Sequence, residues 1–270
     1  MDPRQACLDC LAQEPPALFE AALWIAAEHL PAYSPAQSLR ELDELVRQIG
    51  ASLDDRASAS ERAQGLLRRM SEQGFCEDDD FPLQPRSALL PLVLQRRQGQ
   101  PLSLALVAME LARRLDIPLV GVNFPGRFLL RVPQADHLLD PATGRRLYTP
   151  DCRELLLRLQ GPKSELQAAY LKQASPGEIL QRLSRNLRQL HSAAGEPLAA
   201  LKDAQRVIEL GPVGAADHEA RAGLYRQLDC PQAERYDLER ALLLSDDPTE
   251  QLRLGQRLGE LAPPTSRALH

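Results

Sequence analysis

The chain reads as a mostly helical α+β protein: a helical N-terminal region, a helix with a small antiparallel sheet, and C-terminal helical repeats. Three observations predict this. Apolar residues recur at helical spacing over residues 16–74 and again from Asp151 to about Leu261. Between them, Gly99 to Pro141 passes from an almost wholly apolar helix to short β-branched runs separated by turn residues. The composition is 44% hydrophobic but only 4% aromatic, so the core must be built of Leu, Ala and Val, which suits closely packed helices.

In chain order, Leu18, Ala22, Ile25, Ala26 and Leu30 mark one apolar face, and Pro31 ends that helix. Ser34 followed by Pro35 is an N-cap with proline in the first turn, opening a helix through Leu39, Leu42, Leu45, Val46 and Ile49. Another helix starts near Ser58 or Ser60 and ends at Gly74. The acidic run Glu77–Asp80 reads as a solvated loop, because consecutive acids point in different directions and no glycine supplies the turn of a cation-binding loop. A short helix spans 87–98, Gly99 breaks it, and Pro101 opens the apolar helix Leu102–Leu115. Strands follow at Ile117–Phe124, Phe128–Val132 and His137–Asp140, with a short edge at Leu147-Tyr148. A hairpin turn centred between Gln134 and Ala135 sets Arg127 opposite the neighbourhood of Asp140 to Ala142, where the two are expected to pair across strands.

From Asp151 onward a 34-residue repeat emerges. Setting the stretch from Gly195 over that from Asp229 places Pro197 over Pro231, Asp203 over Asp237, Arg206 over Arg240 and His191 over Tyr225. Two helices per 34 residues is the period of tetratricopeptide repeats. Helices at 163–173 and 249–260 are expected to extend or cap the array, and the tail from 263 to 270 to be loose.

The formal net charge is −5 and no basic tract occurs, so neither nucleic acid nor an acidic membrane is expected as a partner. No apolar run approaches a membrane span, and the N-terminus lacks the order of a signal peptide. Five irregularly spaced cysteines do not describe a disulfide framework, and a cytoplasmic location follows as the expectation. Cys7 and Cys10 form a CxxC without the further ligands that zinc needs, so no metal and no cofactor is expected.

The run GQPLSLAL…ARRLDIPLVGVNFPGRF…LLDP, with the lead-ins LFEAALWIAAEHL and QGF…RSALLPLVLQRRQGQP, resembles the SirB-like bacterial family, over roughly residues 15 to 250. That resemblance implies a transglutaminase-like core followed by tetratricopeptide-like repeats. It divides the chain into a helical region 1–98, a core 99–160 that forms one domain with it, and repeats over 161–262. It also implies a triad: a Cys at the start of the core helix, a His on the first facing strand and an Asp on the next. No cysteine occurs between Gly99 and Phe128, and Ser103 stands nearest the nucleophile's place. The base position holds Arg127, which cannot give up its proton at a working pH. Of the triad only Asp140 remains.

Other residues offer no replacement. His137 lies three residues from Asp140, so on a strand the two face opposite ways. Ser103 fits a first-turn residue, and Cys152 a small residue packed at the start of a helix. The expectation is therefore a non-catalytic interaction protein whose repeats bind a protein or peptide. Arg182, Arg185 and Gln189, at the repeat's inward positions, would offer donors to an acidic peptide or C-terminal carboxylate. The alternative is a hydrolase or amide-transfer enzyme using Ser103 or an unidentified nucleophile. A third reading keeps a small-ligand site at Arg127, Asn123 and Asp140.

Overall fold

The structure, a computed structural model, describes residues 2–261. The tail expected at 263–270 lies outside the described residues. The chain divides into two compact units, the division falling between Leu183 and Ser184.

The first unit opens with helices α1 (Pro3–Leu11), α2 (Leu18–Ala27), α3 (Pro35–Gly50) and α4 (Ala59–Glu72). Pro35 occupies the first turn of α3 and Ser34 its N-cap position. A capping box starts α4: the Glu61 amide donates to Ser58 Oγ, and the Ser58 amide donates to the Glu61 carboxylate. Strand β1 (Cys76–Glu77), helix α5 (Leu90–Arg96) and strand β2 (Gln98–Gly99) follow, with β1 and β2 pairing in parallel.

Helix α6 (Pro101–Arg114) is the centre of this unit. Its residues Leu102 to Ala108, with Leu111 and Ala112, are all buried. Helices α2, α3, α4 and α5 and the sheet surround it, which explains an apolar pattern without a polar face. Strands β3 (Val120–Val122), β4 (Leu129–Arg131), β5 (Leu138–Leu139) and β6 (Arg146–Leu147) form one antiparallel sheet in sequence order. Leu130 faces Leu139, the register that a turn between Gln134 and Ala135 demands. Gly121 admits the Phe128 ring: a Cβ there would lie 2.5 Å from the ring's Cζ. Val122, Phe124, Leu129, Leu138 and Leu147 pack with Cys152 and Leu156 of helix α7 (Thr149–Gln160).

The helix expected at 163–173 is absent. Gly161, at φ +92°, ends α7, and only a 3-10 turn forms at Ala168–Leu171. The segment then runs extended along the sheet edge, where Gln173 bridges to Val122 and the Ala174 amide donates to the Gly121 carbonyl. Backbone pairing with β3 takes the donors and acceptors that a helix would have used.

Helix α8 (Pro176–Ala193) contains the division between the units. The second unit continues through α9 (Pro197–Glu209), α10 (Ala215–Gln227), α11 (Pro231–Leu244) and α12 (Pro248–Glu260). These are helix pairs with a 34-residue offset: α9 and α11 each begin on the aligned prolines. Burial repeats with the offset. Ala200 and Glu234, Asp203 and Asp237, Ala204 and Leu238, and Val207 and Ala241 are all buried.

Two of those positions are carboxylates with no solvent exposure, and each takes a histidine and an arginine. Asp203 accepts from His191 Nδ1 at 2.7 Å and from Arg206 Nη1 at 2.8 Å. Asp237 accepts from His218 Nδ1 at 2.9 Å and from both Nε and Nη2 of Arg221 at 2.7 and 2.8 Å. The aspartate keeps its place while its partners change. His218 aligns with Ser184 rather than with His191, and Arg240, aligned with the buried Arg206, is exposed and lies over the Tyr236 ring.

Candidate functional site

Ser103 sits in the first turn of α6, behind Pro101, and is completely buried. Its hydroxyl donates to the Ala88 carbonyl at 3.4 Å. Neither Arg127 nor Asp140 shares a hydrogen bond with it among the described residues. A nucleophile needs a base and an approach for the substrate, and this serine has neither.

Arg127 follows the tight turn Pro125-Gly126, where Gly126 adopts φ +74°. Its Nε lies 2.9 Å, and its Nη2 2.8 Å, from Asp140 Oδ2. The expected Arg127–Asp140 pair is present, and a third member joins it. Arg127 Nη2 also donates to Glu77 Oε2 at 2.7 Å, and Nη1 to Glu77 Oε1 at 3.3 Å. Burial would push the guanidinium down, but the bonds to Glu77 and the charge of Asp140 outweigh it and hold its pKa above the ordinary value. It is a fixed cation.

Asp140 has a second task. Its Oδ1 accepts from the Ala142 amide at 3.0 Å, the Thr143 amide at 3.0 Å and Thr143 Oγ1 at 3.1 Å. The carboxylate thus organises the turn into β6 with one oxygen and anchors Arg127 with the other. At this centre the carboxylate that could orient a histidine orients an arginine instead.

The acidic run is the solvated loop expected at Glu77 and Asp79, which are exposed, but Asp78 is buried and structural. The Asp78 carboxylate is buried and meets Arg96 Nη1 at 2.8 Å, while Asp80 pairs with Arg86 at 2.5 Å. Burial opposes ionisation of Asp78, yet the Arg96 bond and the Asp80 amide hold its pKa below the ordinary value. Arginines pair with Glu77, Asp78 and Asp80, while Asp79 stays exposed.

His137 bonds to residues other than Asp140. Its Nδ1 lies 2.8 Å from Asp136 Oδ1 and its Nε2 3.1 Å from Ser60 Oγ, on α4. Cys152 is buried, its thiol donates toward the Leu147 carbonyl at 3.8 Å, and burial pushes its pKa up. Burial raises the Cys10 thiol to about 11 as well. Neither is a ready thiolate.

Of the three partner-binding candidates, Arg182 donates to the Phe124 carbonyl at 2.9 Å and lies over the Phe128 ring. Arg185 makes two 2.8 Å bonds to Asp217, and Gln189 is exposed. Asn123, of the small-ligand reading, accepts from Arg182 at 3.4 Å. A cleft of about 650 Å³ opens elsewhere, between Pro16, Phe19, Leu106, Met109, Val120 and Ile179, and none of Ser103, Arg127 or Asp140 lines it.

The Asp217 pair makes acid stability predictable. Burial would raise this carboxyl, but the Arg185 bonds, the Gly214 amide and Arg188 hold it below the usual range. A group depressed in the folded state stabilises above its unfolded pKa of about 4, and that contribution is lost as pH falls through the lower folded value. Urea midpoints measured from pH 5 to pH 2 should therefore fall, and Asp217→Asn should flatten part of that fall.

Sequence reasoning missed Glu77 and Ser60, which reach their partners across 50 and 77 residues of chain. Only the capping pattern around Ser58 marked the turn that carries Ser60.

Among the described residues no helix is long and apolar enough to cross a membrane. Comparison with known proteins agrees with the layout of the core. A family model described as the transglutaminase-like superfamily matches residues 36–185, which span α3 to α8. A UPF0162 protein of Pseudomonas aeruginosa is 99% identical over 270 residues, covering 100% of both chains. A UPF0162 protein of Xylella fastidiosa is 37% identical over 177 residues, 63% of each chain. Protein SirB1 of Salmonella typhimurium is 28% identical over 205 residues, 73% of this chain and 75% of that one. No solved structure matches. The arginine-bridged centre therefore stands in a transglutaminase-like core, and the chain belongs to the UPF0162/SirB1 family of the transglutaminase-like superfamily.

Proposed function

We propose that this is a protein-binding protein whose transglutaminase-type centre does no chemistry and whose C-terminal helix pairs, read as tetratricopeptide-like repeats, take a protein or peptide partner. The observation that carries the reading is the Arg127 guanidinium, fixed between Glu77 and Asp140 at the position where this chemistry needs a proton acceptor. A permanently charged group there abolishes base catalysis, and the loss of the thiol removes the nucleophile. The scaffold has been kept while the reaction has gone.

The binding half of the proposal rests on the 34-residue offset of the helix pairs and on the chemistry of one helix face. Arg185 already holds a carboxylate, Asp217, bidentately; an incoming peptide carboxylate competes for that fork. Gln189, one turn further, adds an exposed amide. The partner class is an acidic peptide or a free C-terminus.

The test is a fluorescence-anisotropy titration of the full chain with labelled acidic peptides, with and without a free C-terminal carboxylate. Arg185→Ala and Gln189→Ala are expected to weaken binding by about tenfold or more, as removal of a charge-assisted bond does. Arg182→Ala acts through the Phe124 turn and is expected to change thermal stability as well. Peptide affinities that are unchanged in Arg185→Ala count against the face.

A further inference from the structure

His137, in the same unit as the Arg127–Asp140 pair but with other partners, has both ring nitrogens committed. Asp136 faces Nδ1 at 2.8 Å and Ser60 Oγ faces Nε2 at 3.1 Å. Hydroxyl, imidazole and carboxylate in that order are the parts of a serine hydrolase, recognised by geometry and not by chain position. The hydrogen bond to His137 holds the Asp136 carboxyl below the ordinary range, so it is an ionised acceptor at neutral pH. An acceptor at Nδ1 fixes the proton there and leaves Nε2 free to receive one from Ser60.

The surroundings supply the other requirements. Ser60 is the second residue of α4, whose cap is Ser58 and whose Glu61 amide is already bonded to that cap. The amides of Ala59 and Ser60 have no acceptor among the described residues. They are first-turn donors beside the nucleophile, at the positive end of the helix dipole, where an oxyanion would be stabilised. His137 is buried against the Tyr148 ring, with centroids 5.4 Å apart, which restricts the imidazole's rotation. Ser60 is half-buried and so keeps access to solvent; the small cavity beside His137, walled by Arg131, Leu138, Leu147 and Leu171, is lined by Asp136 and not by Ser60.

We propose that Ser60, His137 and Asp136 form a hydrolytic centre for carboxylic esters, separate from the Arg127–Asp140 centre. Ser60 Oγ attacks the ester carbonyl carbon, and its proton passes to His137 Nε2. The tetrahedral oxyanion lies at the Ala59 and Ser60 amides. The ester C–O bond then breaks, the leaving alcohol takes the proton from His137, and the acyl group stays on Ser60. Water gives a proton to His137 and attacks the acyl carbon; the acid departs, and Ser60 regains its proton. Ser60 and His137 are the catalytic residues. Asp136 is a positioning residue that acts through the imidazole.

The experiment uses the full chain with a fluorophosphonate probe, peptide mapping by mass spectrometry, and p-nitrophenyl acetate turnover. One adduct on Ser60 is expected, with both adduct and turnover lost in Ser60→Ala. That variant keeps the Ser58 cap, so its thermal melt should be unchanged. His137→Gln should slow labelling by about 10²-fold or more. Asp136 is exposed, so Asp136→Asn should fold even if His137→Gln does not; it should slow labelling and move the midpoint of the pH–rate profile. No adduct on Ser60 at neutral pH, or equal labelling in Asp136→Asn and wild type at every pH, overturns the proposal. Neither result bears on the peptide titration, which reads a different unit.

Discussion

Asp203→Ala is expected to destabilise the second unit by about 3–5 kcal/mol, the range for leaving one member of a buried ion pair without its counter-charge. Asp203 and Arg206 have no solvent exposure, and His191 has 3%. Removing the carboxylate takes a charge-assisted bond from a guanidinium that is buried out of reach of water. Against a total stability of about 5–15 kcal/mol, that is enough to unfold much of the unit. The loss should come from breaking the buried pair, so Asp203→Leu combined with Arg206→Met should recover most of it. In the second repeat, Arg221 keeps 14% exposure and can turn outward, so Asp237→Ala should cost less than Asp203→Ala. Urea unfolding followed by circular dichroism measures all three, and equal losses at Asp203 and Asp237 would contradict this account of the burial.

At the remnant centre the expected order is Asp140→Ala worse than Arg127→Ala, by about 2–4 against about 1–2 kcal/mol. Asp140 serves three donors of its turn as well as Arg127, and without it the Ala142 and Thr143 amides lose their acceptor. Without Arg127, by contrast, Oδ1 keeps its partners and Oδ2 loses one that is itself 22% exposed, so water can replace it. Melting temperatures that reverse the order would show that the arginine, not the aspartate, holds the turn.

How far the sequence reaches follows from how local each determinant is. The start of α3 at Ser34-Pro35, the start of α4 at Ser58 and the break at Gly99 before Pro101 are set by caps and by proline geometry, which act within four residues. The register of β4 on β5 follows from the turn at Gln134-Ala135, and with it the meeting of Arg127 and Asp140. Glu77 could not be placed that way: it reaches Arg127 from β1, whose position depends on parallel pairing with β2. The stretch 163–173 carries Leu166, Tyr170 and Leu171 at helical spacing, and those residues do pack on the core. They do so from a non-helical segment that the β3 edge holds. Tertiary hydrogen bonding overrode the periodicity there.

The repeat shows the same limit at finer scale. The offset of 34 aligned Asp203 with Asp237 correctly, because the backbone recurs. It did not reveal that the histidine comes from the first helix of the pair at position 191 in one repeat and at position 218 in the other. Side chains several ångströms long can reach one carboxylate from different turns, so the site persists while its partners move.

The most direct test of the central claim is covalent labelling of the native chain with serine- and cysteine-directed probes, mapped peptide by peptide. Ser103 and Cys152 are expected to stay unmodified, since both are buried and neither faces a base. An adduct on Ser103 in the folded protein, lost when Asp140 is replaced, would mean that the transglutaminase-type centre still reacts.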